Sequence, residues 1–165
     1  MRAYVKVYNE ILNQSKNLGV KFDYIFLATG TGMTQAGLIA GRQLNKGAEK
    51  IIGISVARKS EQEIEVIKNF CQVYFESENL SFDVGQLDVL DEYLCGGYGK
   101  YNDSIADLIN EMLVNYGIPL DPTYTGKAYY GMLETIKKKI FQEISYFYIQ
   151  VGRHYFLIIC RHWGE

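Results

Sequence analysis

Several residue types are scarce in this sequence, and each shortage excludes a class of protein. Its 165 residues include only two prolines, two histidines, one tryptophan and three cysteines. Cys71, Cys95 and Cys160 form neither an even disulfide set nor a metal-ligand spacing, so we expect a reduced chain without a metal site. No apolar run approaches the roughly 20 residues of a membrane span, and no signal peptide precedes the first polar segment. A cytoplasmic location is therefore predicted.

An excess of positive charge is also lacking. The 17 Lys and Arg residues are outnumbered by 19 Asp and Glu residues, which gives a net charge of −2, whereas nucleic-acid binders normally carry a basic patch. Apolar residues, by contrast, are plentiful: 48% of the chain is hydrophobic, which is enough for one packed core at this length. We expect a globular domain that binds neither nucleic acid nor a membrane.

The spacing of apolar residues predicts helices that alternate with strands. In chain order the predicted elements are a helix over Tyr4–Leu18 that ends at Gly19, a strand over Asp23–Ala28, a helix over Gln35–Leu44, a strand over Lys50–Val56, a helix from Ser60, a strand ending near Tyr93, a helix over Asn102–Tyr116 and a helix reaching Lys139. Ser60 and Glu63 have the spacing of a capping box. This order is typical of the α/β class, and we expect three layers, with a mostly parallel sheet and helices on both faces.

Residues 144–165 differ in composition from the rest of the chain. They contain both histidines and the only tryptophan, and no acidic residue occurs among them before Glu165. Apolar runs at Tyr146–Ile149 and Tyr155–Ile159 predict two buried strands. We therefore divide the chain into residues 1–143 and an aberrant tail, residues 144–165.

A glycine-rich loop joins the first predicted strand to the second predicted helix. Its sequence, Ala28-Thr-Gly-Thr-Gly-Met-Thr-Gln-Ala-Gly37, lets the backbone approach a phosphate, to which free N–H groups at the helix start can donate. A tight turn without a ligand is the alternative interpretation. Hydroxyl groups that suit a phosphate monoester come from Thr29, Thr31 and Thr34.

Two nucleotide-binding patterns fit this loop poorly. A P-loop ends in Gly-Lys-Ser/Thr, but no lysine occurs between Lys21 and Lys46. The dinucleotide fingerprint requires glycine where this chain has Gln35, and it requires an acid after the next strand, where Ser55-Val-Ala-Arg58 has none. A small phosphorylated cofactor is favoured over a dinucleotide, and a nucleotide-binding module is the disfavoured reading.

Four segments occur in an order and spacing that resemble one enzyme family. They are the loop Ala28–Leu38, the strand Ile51–Val56, Gly97-Tyr-Gly99 and Leu120-Asp-Pro-Thr-Tyr-Thr-Gly-Lys-Ala128. Together they resemble the pyridoxal-phosphate enzymes comprising D-cysteine desulfhydrase and 1-aminocyclopropane-1-carboxylate deaminase. The resemblance runs from about Ala3 to Lys139 and implies the tryptophan synthase β-like fold. Pyridoxal 5′-phosphate is the cofactor that it implies, and a small amino acid is the implied substrate.

The resemblance also implies roles for individual residues. Tyr98 and Tyr124 match tyrosines that face the substrate and assist proton transfer, because a phenol both donates and accepts a hydrogen bond. The family usually has a second glycine where this chain has Met33. The residues implied to bind the cofactor are Thr29, Gly30, Thr31, Gly32, Met33, Thr34 and Thr125.

Position 125 discriminates between the two activities of the family. The deaminases typically carry glutamate there, beside the pyridine nitrogen, whereas this chain has Thr125, as in the desulfhydrase branch. A neutral hydroxyl leaves the pyridine less protonated than a carboxylate does. The resemblance therefore implies β-elimination from D-cysteine to give pyruvate, sulfide and ammonia, with 1-aminocyclopropane-1-carboxylate deamination as the alternative.

The lysine that forms a Schiff base with the cofactor lies well before the glycine loop in this family. Lys6 and Lys16, on the first predicted helix, match nothing catalytic. We expect a C-terminal fragment that is inactive alone and active only with a complementary N-terminal polypeptide; intact members of the family are homodimers. A non-catalytic gene remnant is the competing interpretation.

The family ends with a strand that reads like Val-Leu-Phe-Ile-His-Thr-Gly-Gly, and no such segment follows Lys139. A shifted reading frame from Ile144 onward permits Ile-Leu-Phe-Leu-(Tyr or His)-Thr-Gly-Gly. We therefore hypothesise that residues 144–165 are a frameshifted translation, with the slip between Lys137 and Glu143. On this hypothesis no function belongs to four residues of the tail, namely His154, Cys160, His162 and Trp163.

Overall fold

The computed structural model describes residues 1–83 and 85–138 and the backbone of residues 146–149. Helices and strands alternate through most of this part of the chain. In order they are α1 (Arg2–Leu18), β1 (Tyr24–Thr29), α2 (Met33–Leu44), β2 (Lys50–Ser55), α3 (Ser60–Ser77), β3 (Asp88–Leu90), α4 (Asp103–Tyr116), α5 (Thr125–Lys138) and β4 (Tyr146–Ile149).

The strands form one sheet in the order β3-β2-β1-β4, and every neighbouring pair is parallel. Tyr24 lies opposite Lys50 on one side and opposite Tyr146 on the other. Because parallel strands all point the same way, the loops that follow β1, β2 and β3 leave from one edge of the sheet. The candidate site lies at this edge.

The core is divided by the sheet into two apolar layers. Ile25 and Leu27 of β1 pack with α1, α2 and α3 on one face, whereas Phe26 packs on the other face with residues of α4 and α5, including Met112 and Met132. This alternation follows from the two-residue period of a strand. The structure therefore confirms the predicted α/β class, with a parallel sheet and helices on both faces.

Most predicted boundaries lie within a few residues of the observed ones. Helix α1 ends as predicted at Gly19, whose φ of 65° lies in the left-handed region. Helix α2 begins at Met33, two residues earlier than predicted, and β3 spans only Asp88–Leu90. The strand predicted at Tyr146–Ile149 is present as β4. The strand predicted at Tyr155–Ile159 lies outside the described residues.

The capping-box prediction for α3 is wrong. Lys59 occupies the N-cap of this helix, and its own side chain makes no capping hydrogen bond. The Ser60 backbone N–H instead donates to Asp91 Oδ2 at 2.9 Å, so a carboxylate from the segment after β3 takes the place of the box. Glu63 is consequently released from the helix end, and its side chain is fully buried beneath the glycine loop.

Candidate functional site

The loop between β1 and α2 has the geometry of an anion site. Gly32 occupies the N-cap of α2 with φ 78° and ψ −17°, and no side chain caps this helix. The first backbone hydrogen bond of the helix runs from the Ala36 N–H to the Gly32 carbonyl at 2.9 Å. The N–H groups at the start of the helix are therefore directed at the loop, where they favour a negatively charged group.

Gly32 is also required by packing. A Cβ atom at this position would lie 3.1 Å from Ile67 Cγ1 and 3.2 Å from Val66 Cγ1, both on α3. The left-handed backbone and this close approach both select glycine. The loop is thus pressed onto the first turns of α3, and its backbone N–H groups remain uncovered by a side chain of its own.

A buried carboxylate fastens the loop to α3. Glu63 accepts a hydrogen bond from Thr29 Oγ1 at 2.9 Å through one oxygen and from Arg58 at 2.8 Å through the other. The Arg58 guanidinium also donates to the Gly30 carbonyl. One cation and one carboxylate therefore hold both Thr29 and Gly30 in place.

This network separates the three threonines that the sequence grouped together. The Thr29 hydroxyl donates a hydrogen bond to Glu63, and Thr29 is buried. Thr31 is exposed and Thr34 is half-buried, on the solvent side of the loop. Met33 is also exposed. Any contact of these residues with a phosphate stays a prediction, and Thr31 and Thr34 have the more accessible hydroxyls.

Gln35, which breaks the dinucleotide fingerprint, has a packing role. Its side chain is fully buried, and Nε2 donates to the Asp88 carbonyl at 2.9 Å. A Cβ atom at Gly53 of β2 would collide with the Gln35 amide. This residue therefore joins α2 to β2 and β3 below the loop, so a long amide rather than glycine is needed there.

Tyr98 and Tyr124 form a hydrogen-bonded pair. Their hydroxyl oxygens lie 2.8 Å apart, and their rings meet edge to face with centroids 5.8 Å apart. The side chains are accessible, with exposed fractions of 60% for Tyr98 and 40% for Tyr124. The hydrogen bond with Tyr98 is the largest cause that raises the pKa of Tyr124 above its ordinary value.

This tyrosine pair lies next to the glycine loop. A Cβ atom built on Gly30 would be 3.9 Å from Tyr124 Cε1. The structure therefore brings the glycine loop together with two predicted site residues that follow Gly30 by 68 and 94 positions in the sequence. The glycine loop follows β1 and the turn of Tyr98 follows β3, whereas Tyr124 lies between α4 and α5.

Thr125 is held by an aspartate that the sequence analysis did not single out. The Asp121 carboxylate accepts hydrogen bonds from the backbone N–H groups of Thr123, Tyr124 and Thr125 at 2.7–2.9 Å, and from Thr125 Oγ1 at 2.7 Å. Burial raises the pKa of Asp121, but these hydrogen bonds outweigh it and the net pKa is lowered. An aspartate just before a helix start was the available signal.

Lys127 is the second residue that sequence analysis missed. Its side chain is fully buried, and Nζ donates to the carbonyls of Leu94 and Gly97, each at 2.8 Å. The available signal was a lysine placed among the apolar positions of α5.

Among the described residues, no group of three or more His, Cys, Asp or Glu side chains could hold a metal ion.

The residues present fit a phosphate group. The uncapped start of α2, the left-handed Gly32 and the accessible hydroxyls of Thr31 and Thr34 provide donors on one side of the loop. The Glu63 carboxylate lies close to the loop, 3.5 Å from a Cβ atom built on Gly32, but both of its oxygens are engaged, one by Thr29 and one by Arg58. A bound anion would therefore meet N–H groups rather than an unpaired carboxylate.

Comparisons with known proteins agree with this geometry. A family profile described as "Pyridoxal-phosphate dependent enzyme" matches residues 1–145. The 1-aminocyclopropane-1-carboxylate deaminase of Variovorax paradoxus is 33% identical over 130 residues, which is 78% of this chain and 38% of that protein. The enzyme of the same name from Burkholderia cenocepacia is 32% identical over 137 residues, or 82% of this chain and 40% of that protein.

A solved structure shows the same likeness. A crystal structure described as that of an ACC deaminase homologue matches with a TM-score of 0.78 and 34% identity, covering 88% of this chain and 43% of the other. The chain thus spans about two fifths of the length of the curated relatives that it matches.

Among the described residues, no helix combines the length and the apolar character that a membrane crossing requires.

Proposed function

We propose that this chain, which belongs to the family of pyridoxal-phosphate dependent enzymes, supplies the phosphate-binding and proton-transferring part of an enzyme that acts on a small amino acid. The observation that carries this proposal is the closeness of the Tyr98–Tyr124 pair to the glycine loop, since a Cβ atom built on Gly30 would lie 3.9 Å from Tyr124 Cε1. A phosphate held by the loop would place the rest of the cofactor, and with it the substrate, near two accessible phenol groups.

The loop residues bind and orient the cofactor in this proposal. Backbone N–H groups at the start of α2 donate to the phosphate, Gly32 lets the backbone come close, and Thr31 and Thr34 add hydroxyl donors. Glu63 accepts a hydrogen bond from the Thr29 hydroxyl and Arg58 donates to the Gly30 carbonyl, and these two contacts hold the loop in place. When bound, pyridoxal phosphate supplies an electron sink for the pair of electrons released at the substrate carbon.

The tyrosine pair moves protons. Because each phenol both donates and accepts, a proton can pass between the two oxygens across 2.8 Å. The raised pKa of Tyr124 keeps its proton in place at neutral pH. The pair can therefore deliver a proton to a group that develops negative charge and accept one back.

D-Cysteine is the substrate that the residue at position 125 favours. Thr125 brings a neutral hydroxyl, and that hydroxyl already donates to Asp121 Oδ2 at 2.7 Å. We infer that this residue leaves a neighbouring pyridine nitrogen largely unprotonated, which suits β-elimination of sulfide with release of pyruvate and ammonia. The names of the similar proteins favour the alternative, 1-aminocyclopropane-1-carboxylate deamination.

The rest of the enzyme comes from outside this chain in the proposal. In this proposal the cofactor-attaching lysine lies outside residues 1–143, on a complementary polypeptide. We propose that the chain works in the cytoplasm and within a homodimeric assembly, and that alone it does not turn over substrate.

Cofactor binding is the first test. The full 165-residue chain, labelled with 15N, is titrated with pyridoxal 5′-phosphate and with inorganic phosphate, and the amide resonances of residues 30–36 are followed. We expect both ligands to shift these resonances, and Gly32→Ala to weaken binding at least about tenfold because it strains the backbone and crowds α3. Gly19→Ala is the matched control, because Gly19 is also left-handed, with φ 65°, but lies at the end of α1.

Substrate choice is tested once the missing part is supplied. The chain is mixed with the N-terminal portion of a homologous enzyme and with the cofactor, and sulfide, pyruvate and ammonia are measured with D-cysteine and with 1-aminocyclopropane-1-carboxylate. We expect sulfide and pyruvate from D-cysteine, and a lower yield of both from Thr125→Glu. Ammonia from the cyclopropane substrate alone would establish the alternative, and unshifted loop amides in the titration would overturn the proposed function.

A further inference from the structure

The turn that carries Tyr98 has unusual backbone freedom. Cys95, Gly96, Gly97 and Gly99 all have positive φ, at 54°, 93°, 128° and 72°. A Cβ atom at any of the three glycines would meet nothing within 4 Å. Glycine-rich backbone loses much entropy when it is ordered, and no packing around these glycines compensates for that loss. Some other contact must keep this turn in one conformation.

Lys127 makes that contact. Its ammonium group donates to the carbonyls of Leu94 and Gly97, which lie on either side of Cys95 and Gly96, at 2.8 Å each. Two backbone bonds also close the turn, from the Gly97 N–H to the Leu94 carbonyl at 3.0 Å and from the Lys100 N–H to the Gly97 carbonyl at 3.2 Å. The lysine is the part of this network that comes from another element, α5.

Burial of this lysine has a cost that an ordinary core residue would not have. The side chain is fully buried, and desolvation lowers the pKa of Lys127. Methionine or leucine would fill such a site without that cost. Only an ammonium group, and not an apolar side chain, can donate to the carbonyls of Leu94 and Gly97, and both carbonyls lie in the turn that carries Tyr98.

We propose that Lys127 is a positioning residue that sets the distance between the Tyr98 and Tyr124 hydroxyls. Tyr124 precedes α5 by one residue, and Lys127 is the third residue of that helix. The same element therefore carries one tyrosine and clamps the turn that carries the other. The inference rests on the proposed function only for the proton-transfer role of the two tyrosines.

The test measures the tyrosine pair directly in the full chain. Tyrosine residues are labelled with 13C at Cζ, and the phenol of Tyr124 is titrated by NMR in the wild-type chain and in Lys127→Met, Lys127→Arg, Lys100→Met and Tyr98→Phe. Tyr98→Phe gives the pKa of Tyr124 without its partner. We expect the Tyr124 pKa of Lys127→Met to equal that of Tyr98→Phe, because both variants lose the tyrosine pair. Lys127→Arg should recover part of the rise in the Tyr124 pKa, and Lys100→Met should have the wild-type value.

Lys100 is the matched control because it lies in the same region and its side chain is exposed. A purely structural role for Lys127 would lower the melting temperature and leave the Tyr124 pKa of Lys127→Met at the wild-type value, and that result would overturn the proposal. Identical Tyr124 pKa values in Tyr98→Phe and the wild-type chain would also overturn it, because the pair would then not form.

A second measurement covers the case in which Lys127→Met does not fold. In the wild-type chain, scalar coupling across hydrogen bonds is sought from Lys127 15Nζ to the carbonyl carbons of Leu94 and Gly97. Coupling to both carbons is expected, and its absence in the folded chain would refute the clamp. Neither measurement involves cofactor or substrate, so a failed cofactor titration would count against the proposed function and leave this inference standing.

Discussion

At the scale of single residues, Glu63 and Arg58 hold the glycine loop in place. Both carboxylate oxygens of Glu63 are occupied, one by Thr29 and one by Arg58. Arg58 is 40% exposed on its side chain, whereas Glu63 is fully buried. Loss of the glutamate therefore leaves a cation that water can reach, and the destabilisation is smaller than for a pair buried on both sides.

We expect Glu63→Ala to lower the free energy of unfolding by about 1–3 kcal/mol, because Thr29 and Arg58 lose their shared acceptor. Glu63→Gln keeps one acceptor oxygen and should lose about 1 kcal/mol. Urea unfolding followed by circular dichroism gives both values. Glu65→Gln, two positions along α3 in an exposed pair with Lys68, is the control and should be unchanged; equal stability of Glu63→Ala and the wild-type chain would contradict the expectation.

Residues close in sequence were easier to predict than residues joined by the fold. The motifs around Tyr98 and Tyr124 singled out both tyrosines, and the structure places their hydroxyls in contact, while their catalytic role stays a prediction. The role of Gln35 was not predictable, because its partner is a carbonyl of β3, 53 positions away. Glu63 was assigned to a helix cap for the same reason, since its partner Thr29 lies on strand β1, 34 positions earlier.

Helix α5 begins at a cluster of hydrogen bonds that responds to acid. Asp121 accepts from three backbone N–H groups and one hydroxyl at this helix start. Its pKa is lower in the folded chain than its ordinary value. The stability that this carboxylate contributes is therefore fully present above the unfolded pKa of about 3.9 and is lost as the pH falls through the folded pKa.

We expect Asp121→Asn to lower the unfolding free energy by about 1–2 kcal/mol at pH 7, the usual effect of losing a helix cap. The difference between variant and wild type should begin to shrink as the pH falls below about 4, where the carboxylate of the unfolded wild-type chain becomes protonated, and should shrink further as the pH falls through the lower pKa of the folded chain. Urea unfolding between pH 7 and pH 3 measures this, with Asp107→Asn on the exposed face of α4 as the control. A difference that stays constant over this range would contradict the assignment.

Elements with strong periodicity could be predicted, and those defined by tertiary pairing could not. The buried runs of β1 and β2 and the stop of α1 at Gly19 follow from local sequence. Strand β3 is only three residues long because only Asp88–Leu90 pairs with β2. Local sequence does not contain the position of that neighbouring strand, so the predicted strand extended too far, to Tyr93.

At the scale of the whole molecule, the tail from residue 144 contributes one strand to the described part of the chain. Strand β4 pairs with β1 from Tyr146 to Ile149. Both the given reading and the shifted reading place apolar residues in this stretch, so the strand is compatible with either one. The frameshift hypothesis stays a prediction about the coding DNA.

We expect resequencing of the genomic DNA to reveal a single-base slip between the codons for Lys137 and Glu143. Correction of the slip should give a frame that encodes Thr-Gly-Gly shortly after the strand. The same read should extend upstream of the first codon, to look for a frame carrying the lysine. An unchanged sequence across these codons would refute the hypothesis, and the aromatic tail would then be a genuine part of the protein.

The position of β1 between β2 and β4 has a consequence for synthesis of the chain. Tyr24 and its partner Tyr146 are roughly 120 residues apart, and ribosomes add about 5–20 residues each second. One edge of β1 therefore waits on the order of 10 s for the strand that covers it, with its N–H and C=O groups unpaired. An open strand edge is a template for pairing with another chain. We expect nascent chains of this protein to depend on chaperones during that interval, and a slower ribosome to increase the aggregated fraction.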